Sequence, residues 1–366
     1  MAHSLRPFVP VEKDVVNMVE LQALDKVSVL TYNILSQMGA RRLQRKGRNY
    51  VKTAILNIQK RRERLLREIL AYDTDLICLQ EVDEYDDWWV TELAIAGYDS
   101  IYATAAASDS TLVMKKLDEG LVIAFKTSLF QLLKSTEIHL NEICTNIVNE
   151  NVAARAKQGK LALVVCLQPS ETSTLPSALC IATTQLAAGA TPELEHVRLL
   201  QTEYLCHQLS GFNADFQLPV ILTGTFNAIP TSDVYHKIRR SRDRDQNSSI
   251  IYYEMMKSAY EEYSINSNEP EFTFSSDKFH GTIDYIFYSA QQFTPYQVLK
   301  LLTYEELKEA IEIKDTERIK HKSDDGHQDV TDCALGLLPN THCPSDHLPL
   351  ACIFAIQKQN LAVEWN

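Results

Sequence analysis

Short apolar runs alternate with longer amphipathic segments along most of the chain. The apolar runs, each bounded by polar or turn-forming residues, predict eight buried β-strands at 26–33, 75–81, 120–126, 160–167, 178–186, 218–224, 281–289 and 348–357. Apolar residues at spacings of three and four predict helices at 50–71, 192–210 and 304–320, and a further helix after Ser232. This alternation predicts an α/β domain whose helices pack outside the sheets.

Composition places the chain among proteins that can bury a sizeable core. It has 366 residues, of which 45% are hydrophobic and 23% are charged. The apolar runs are all shorter than the roughly 18 residues that a membrane-spanning helix requires, so we predict no membrane association. The N-terminal sequence MAHSLRPFVPVEKD has the features of neither a secretory signal nor a transit peptide, which favours a cytoplasmic location.

The eight cysteines lie in strand-like or helical stretches without a C-x-x-C pair, and this distribution indicates buried, reduced thiols. A segment near the C-terminus is rich in possible zinc ligands: His321, His327, Cys333, His342, Cys343 and His347. Their spacing fits no zinc-finger pattern, and the adjacent pair His342 and Cys343 is poorly suited to one tetrahedral ion. A polar loop is therefore favoured over a zinc site.

Charge is unevenly distributed along the chain. There are 36 basic and 48 acidic residues, for a net charge of -12, yet residues 41–67 contain eleven basic residues and one acidic residue. One interpretation is an amphipathic helix with a solvated basic face; the other is a surface that contacts a polyanion. The candidate contact residues are Arg41, Arg42, Arg45, Lys46 and Arg48. The acidic remainder would repel RNA, which weakens the expectation of RNA binding away from this segment.

Polar residues stand at the ends of four predicted strands. Asn33 and Glu81 end two of them, Asp284 lies at the mouth of a third, and Asp346 with His347 precedes a fourth. Side chains at such positions commonly face one crevice, where carboxylate and amide oxygens can hold a hard cation and a histidine can bind a phosphate oxygen. Each residue singly could instead be a turn former or a cap. Their recurrence at four strand ends favours a common site.

The segment TGTFNAIPTSDVY, residues 223–235, ends a further apolar strand with a tight turn. It directs Thr225 and Asn227 toward the same kind of crevice, but TGTFN contains no ionisable side chain. The turn therefore differs from the neighbouring strand ends, which carry an acid.

Six motifs together resemble the endonuclease/exonuclease/phosphatase superfamily. LTYNILSQ, CLQEVD, GLVIAFK, TGTFNAIPTSDVY, GTIDYIFYS and PSDHLPL occur in the order typical of the branch that contains the carbon-catabolite-repressor-type deadenylases, nocturnin and Angel. The resemblance runs from about residue 26 to 356. It implies a four-layer sandwich of two β-sheets flanked by helices, formed by one domain over 26–358. A helix-loop insert at 304–332, an N-terminal extension at 1–25 and a C-terminal tail at 359–366 complete this interpretation.

The resemblance also implies metal-dependent phosphodiester hydrolysis, typically the removal of nucleotides from an RNA 3′ end. Glu81 would be the principal ligand of Mg²⁺ or Mn²⁺, with Asn33 close to the ion. Asn227 would contact the attacked phosphate, and Asp346 would support the metal or water. Asp284 would orient His347, which would bind a phosphate oxygen. The leucine-rich-repeat extension that tethers some deadenylases is not visible in the sequence.

Three positions depart from the pattern of the family. Thr225 replaces the aspartate of G-D-F-N, Gln185 replaces the histidine of T-H-L, and Phe274 replaces the asparagine of F-T-N. Acid-base and electrostatic groups each contribute about 10² to 10⁴ in rate, so activity is expected to be strongly reduced or lost. Two hypotheses remain: a slowed, metal-dependent exoribonuclease, and a pseudonuclease that serves as an RNA- or protein-binding module.

Overall fold

The computed structural model describes residues 5–11, 15–45, 56–104, 119–146, 150–156, 160–239, 256–263, 269–276, 278–307, 338–340 and 342–357. In chain order the strands are β1 (Phe8–Pro10), β2 (Lys26–Asn33), β3 (Leu76–Val82), β4 (Tyr98–Thr104), β5 (Gly120–Lys126), β6 (Phe130–His139), β7 (Leu161–Pro169), β8 (Leu179–Gln185), β9 (Val220–Thr225), β10 (Met256–Ser258), β11 (Phe274–Ser275), β12 (His280–Gly281), β13 (Asp284–Ser289), β14 (Phe293–Leu299) and β15 (Leu350–Ile356).

The helices are α1 (Val15–Gln22), α2 (Gln37–Arg45), α3 (Ile58–Ala71), α4 (Val90–Ile95), α5 (Glu150–Ala156), α6 (Pro192–Asn213) and α7 (Asp233–Arg239). A π-helical turn at Tyr85–Trp89 precedes α4, and a 3₁₀ helix at Leu140–Asn146 precedes α5. Across these ranges no helix combines the length and the apolar character needed to cross a membrane.

Two large sheets pack face to face. One has seven strands in the order β1-β14-β15-β2-β3-β5-β4, and the other has six in the order β10-β13-β9-β8-β7-β6. Alternation along each strand sends one set of side chains between the sheets and the other set toward the helices. In β8, for example, Ile181 joins the core between the sheets, whereas Ala182 joins the core that contains Leu205 of α6. The predicted α/β sandwich of two sheets flanked by helices is confirmed.

All eight predicted strands are present, with ends shifted by a few residues. The predicted helices at 192–210 and after Ser232 correspond to α6 and α7, and the described part of the 50–71 prediction contains α3. Of the predicted helix at 304–320, only 304–307 is described, and it is helical. The rest of the 304–332 insert and the tail at 359–366 lie outside the described residues, as do His321, His327 and Cys333.

The N-terminal segment is not separate from the sandwich, which corrects the predicted boundary at residue 26. β1 pairs antiparallel with β14 and forms one edge of the seven-stranded sheet. Arg6 is anchored by hydrogen bonds to the carbonyl oxygens of Lys300 and Pro349, and its guanidinium lies 3.8 Å from the Glu68 carboxylate. The strand was missed because three residues with a terminal proline carry no alternation signal.

Gly224 holds the two strands beside the candidate site in close contact. Its φ is +133°, and a Cβ added there would lie 2.0 Å from the carbonyl oxygen of Thr184 on the neighbouring strand β8. Because that neighbour is backbone, it cannot turn away as a side chain could. Glycine is therefore required at this position by both conformation and space.

We expect Gly224→Ala to lower the free energy of unfolding by about 2 to 4 kcal/mol, because the added methyl group overlaps a sheet backbone. Urea unfolding at pH 7 measures the change. Gly211→Ala in α6 is the matched control, since no heavy atom lies within 4 Å of its added Cβ. That substitution should stabilise by about 0.5 to 1 kcal/mol. Equal unfolding free energies for the two variants would contradict the argument.

Candidate active site

The first two site residues come from a parallel pair of strands in the seven-stranded sheet. Asn33 ends β2, and Glu81 lies in β3 at a bulge, where the pairing with β5 passes from Gln80 directly to Val82. Glu81 has a φ of +58°, a left-handed conformation that is uncommon for a residue other than glycine. The bulge removes Glu81 from the ladder of backbone pairs. Its carboxylate can therefore lie beside Asn33 at the sheet edge.

Amide and backbone N–H groups surround the Glu81 carboxylate. Asn33 Nδ2 donates to Oε1 at 3.2 Å, and the backbone N–H of Ser36 donates to Oε2 at 3.1 Å. Burial by itself would raise the pKa of Glu81, but the positive charges of His347 and Lys160 and these hydrogen bonds hold that pKa below its usual value. Glu81 is therefore ionised at neutral pH.

The other sheet contributes Thr225 and Asp284, which face each other across the paired strands β9 and β13. Thr225 Oγ1 donates to Asp284 Oδ1 at 2.6 Å and accepts a hydrogen bond from Asn33 Nδ2 at 3.2 Å. Thr273 Oγ1 donates to the second oxygen of Asp284 at 2.6 Å. One hydroxyl thus connects the carboxylate of one sheet with the amide of the other.

His347 completes this group. Its Nδ1 lies 2.9 Å from Asp284 Oδ2 and 3.1 Å from Oδ1, so Asp284 orients the ring. Burial favours the neutral imidazole, but the Asp284 carboxylate outweighs it and raises the pKa of His347 to about 9. At neutral pH the ring is an imidazolium. It is suited to binding an anionic oxygen rather than to accepting a proton.

Asp346 lies next to His347, with its Oδ1 4.0 Å from His347 Nε2. That oxygen is buried and has no hydrogen-bond partner among the residues the structure describes. Burial raises the pKa of Asp346 to about 6.

Gln185 ends β8 and contacts Glu81 directly. Its Nε2 donates to Glu81 Oε1 at 2.8 Å, and its Oε1 accepts a hydrogen bond from Lys160 Nζ at 3.1 Å. The sequence motifs mark Gln185 only as the replacement of a histidine and do not single out Lys160. The available signal was a basic residue placed immediately before the apolar strand at 161–167.

Two further predicted residues border the group. Asn227, with a φ of +53°, donates from Nδ2 to the carbonyl oxygen of Leu186 at 2.9 Å, which leaves its role at a phosphate a prediction. Phe274 forms an isolated backbone bridge with His347, and its ring centroid lies 4.7 Å from that of the imidazole. Phe274 also stacks on the exposed Phe279, at 6.2 Å between centroids.

The basic segment divides into different environments. Arg41 and Arg42 are exposed on α2, so a polyanion-contact role for them stays a prediction. The side chain of Arg45 and all of Lys46 and Arg48 lie outside what the structure describes. Arg61, which sequence reasoning grouped with the solvated basic face, is instead buried and donates to the carbonyl oxygen of Ile34 at 2.5 Å. Its guanidinium interacts electrostatically with Asp83 and Asp346.

The donor set does not fit a resident Mg²⁺ ion in this arrangement. Mg²⁺ is held in octahedral geometry by one or two carboxylates and several waters, whereas Glu81 Oε1 already accepts two N–H groups and Oε2 accepts one. Asn33 presents its nitrogen to Glu81, because its own oxygen accepts from the backbone N–H of Leu35 at 3.1 Å. Nowhere in the described ranges do three or more His, Cys, Asp or Glu side chains form a group that could hold a metal. The unpartnered oxygen of Asp346 is insufficient alone.

A sequence model of the Endonuclease/Exonuclease/phosphatase family matches residues 30–347. The chain belongs to this family. Its relatives within the family include a probable CCR4-Not complex 3′-5′-exoribonuclease subunit Ccr4 of Vairimorpha ceranae, 27% identical, and nocturnin of Rattus norvegicus, 28% identical. The alignments cover 90% and 91% of this chain but only 63% and 66% of those proteins. The chain thus spans about two thirds of their length.

Solved structures of the family share the fold. The human nocturnin catalytic domain with bound sulfate superposes with a TM-score of 0.63 at 25% identity, over 96% of this chain and 97% of that one. ANGEL2, a 2′,3′-cyclic phosphatase, gives a TM-score of 0.69 at 23% identity, over 95% and 98% of the two chains. The predicted membership in the branch of CCR4-type deadenylases, nocturnin and Angel is confirmed.

We expect Thr225→Val to destabilise this family member by about 1 to 3 kcal/mol, because the buried Asp284 carboxylate loses a donor and the Asn33 amide loses an acceptor. Thr225→Ser keeps the hydroxyl and should cost less than about 1 kcal/mol. Urea unfolding in the presence of EDTA measures both. A valine variant as stable as the serine variant would show that the hydroxyl does not connect the two sheets.

Proposed function

We propose that this chain is a pseudonuclease that binds the phosphate end of an RNA through the site around His347 and does not hydrolyse it at a useful rate. The observation that carries the proposal is the Thr225 hydroxyl, which donates its hydrogen to Asp284 at 2.6 Å. A threonine hydroxyl is not a base near neutral pH, and this one is already engaged on both sides. Thr225, which stands where the family pattern has aspartate, therefore cannot activate a water molecule as a base.

Neighbouring groups offer little replacement for the missing base. Both oxygens of Asp284 accept hydrogen bonds from Thr225, Thr273 and His347, and His347 is protonated at neutral pH. Asp233, the next acid along the motif, lies in the first turn of α7, outside the hydrogen-bonded group. Loss of a general base lowers rates by about 10² to 10⁴.

Retention of anion binding is supported by the charge of His347. An imidazolium held by Asp284 through Nδ1 keeps a second N–H donor at Nε2, which lies 4.0 Å from Asp346 Oδ1. A charged donor forms the stronger hydrogen bonds to phosphate oxygens. RNA is the substrate class of the Ccr4 relative, and the ANGEL2 structure holds adenosine-2′,3′-vanadate. The net charge of -12 opposes long-range attraction of RNA, so we propose recognition of a chain end rather than of a long strand.

A second candidate is a slow, metal-dependent 3′-5′ exoribonuclease. The unpartnered Oδ1 of Asp346 favours it, because a buried oxygen without a donor is a candidate proton acceptor. Retention of Glu81 and of the Asp284–His347 pair also favours this reading. A protein partner and a cytoplasmic location stay predictions under either candidate.

We expect purified protein to leave a labelled oligo(A) RNA intact in Mg²⁺ and in Mn²⁺. The double variant Thr225→Asp with Gln185→His should cleave at least about 100-fold faster, because it restores the acid and the phosphate donor. Gel analysis of the products measures both rates. The cleavage should disappear with EDTA or with an added Glu81→Ala substitution.

The opposite outcome is that the unaltered protein cleaves the RNA, with cleavage lost in EDTA and in Glu81→Ala. That result would refute the pseudonuclease proposal in favour of the slow exoribonuclease. If the double variant does not cleave the RNA, Thr225 and Gln185 are not by themselves the cause of inactivity. Binding is measured separately by fluorescence anisotropy with the same RNA. His347→Gln should weaken it about tenfold, whereas His139→Gln, an exposed histidine on β6, should not.

A further inference from the structure

Lys160, Gln185 and Glu81 form a continuous chain of hydrogen bonds at the site. Lys160 Nζ donates to Gln185 Oε1 at 3.1 Å, and Gln185 Nε2 donates to Glu81 Oε1 at 2.8 Å. The ammonium group fixes the orientation of the amide, because Gln185 must direct its oxygen toward Lys160 and therefore its nitrogen toward Glu81. A neutral side chain thus transmits the effect of the positive charge to a carboxylate.

The carboxylates near Lys160 require a cation. Burial and the like charge of Glu81 raise the pKa of Glu119, whose Oε1 accepts a hydrogen bond from Ser36 Oγ at 2.6 Å. His347 and then Lys160 present a positive charge to Glu81, and Lys160 also interacts favourably with Glu119. Two partly buried carboxylates at one site are stable in the ionised form only when a positive charge opposes them. In metal-dependent hydrolases that charge is a divalent ion.

We propose that the ammonium of Lys160, acting through the amide of Gln185, takes the place of a divalent cation at Glu81, so that the resting site neither contains nor requires a metal ion. For an ion to reach Glu81 Oε1, the Gln185 amide would have to leave. The ion would then lie close to the Lys160 ammonium and be repelled by it. Asn33 could not compensate, because its oxygen is engaged with the backbone N–H of Leu35.

Lys160 and Gln185 act together at a position where the family pattern has a histidine. A histidine at position 185 could not both accept from Lys160 and donate to Glu81 while protonated, whereas the glutamine amide does both. The substitution at 185 and the lysine at 160 therefore act as a pair. A protein can lack hydrolysis and still bind a metal, so exclusion of a metal by Lys160 is a property beyond the proposed function.

Mn²⁺ binding tests the proposal without any reaction. Free Mn²⁺ is measured by electron paramagnetic resonance during titration of the full chain. We expect weak binding by the unaltered protein and at least about tenfold tighter binding by Lys160→Gln, because Glu81 and Glu119 then lose the positive charge of Lys160 and only that of His347 remains opposite Glu81. Lys160→Arg keeps the charge and should bind as weakly as the unaltered protein.

Two controls locate the effect. Lys134→Gln removes the same charge from β6, where the ammonium packs on the ring of Phe212 at 4.7 Å, and should leave Mn²⁺ binding unchanged. Adding Glu81→Gln to Lys160→Gln should abolish the gain. The proposal is overturned if the unaltered protein already binds Mn²⁺ as tightly as Lys160→Gln, if Lys134→Gln gains equally, or if the gain survives Glu81→Gln.

The outcome is separable from that of the RNA assay. Metal-independent RNA binding without cleavage would support both proposals. Tight Mn²⁺ binding by the unaltered protein without RNA cleavage would refute the proposed role of Lys160 and leave the pseudonuclease proposal intact. RNA cleavage that depends on Mn²⁺ would refute the pseudonuclease proposal. The Mn²⁺ titration would independently show whether Lys160 weakens metal binding at Glu81.

Discussion

The Asp284 carboxylate is the group on which the arrangement of the site depends. It is almost completely buried, and a buried charge is tolerated only when donors surround it. Thr225, Thr273 and His347 supply those donors from three separate segments. The hydrogen bonds to this one carboxylate therefore fix the end of β9, the tract before β13 and the loop that carries His347.

The departures from the family are electrostatically consistent with one another. An aspartate at position 225 would place a second carboxylate beside Asp284, at the distance now spanned by a 2.6 Å hydrogen bond. Two carboxylates that close would require a cation or a shared proton. Threonine removes that requirement, and the Lys160–Gln185 pair supplies a fixed positive charge to Glu81. A neutral residue at 225 and a fixed cation at 160 both reduce the need for a metal ion.

Sequence patterns predicted the strands that are buried on both faces and missed those that are not. β6, with the sequence FQLLKSTEIH, is an edge strand whose side chains are mostly exposed, so it lacks the apolar run that identified its neighbours. β14 contains Pro295 and a bulge, which interrupt the alternation. The order of motifs is sufficient for the family because those motifs lie within buried strands or at their ends.

Within the site, the sequence predicts which residues lie together but not which of their atoms donate or accept the hydrogen bonds between them. Glu81 and Asn33 were expected to share a metal ion, whereas the structure directs the Asn33 nitrogen toward Glu81. That orientation depends on a backbone N–H two residues further along, at Leu35, and no residue type or spacing reveals it. Arg61 was grouped with solvated residues because charge patterns do not show which arginine of a helix faces inward.

The backbone of the site is strained at two positions. Glu81 and Asn227 both occupy left-handed conformations, which cost of order 1 to 3 kcal/mol each outside glycine. For Glu81 the cost is offset by hydrogen bonds from Asn33, Ser36 and Gln185, all of which require its carboxylate to point into the crevice. For Asn227 the hydrogen bond from its side chain to the carbonyl oxygen of Leu186 offsets the cost of the left-handed conformation. Hydrogen bonds within the protein thus hold the crevice in shape.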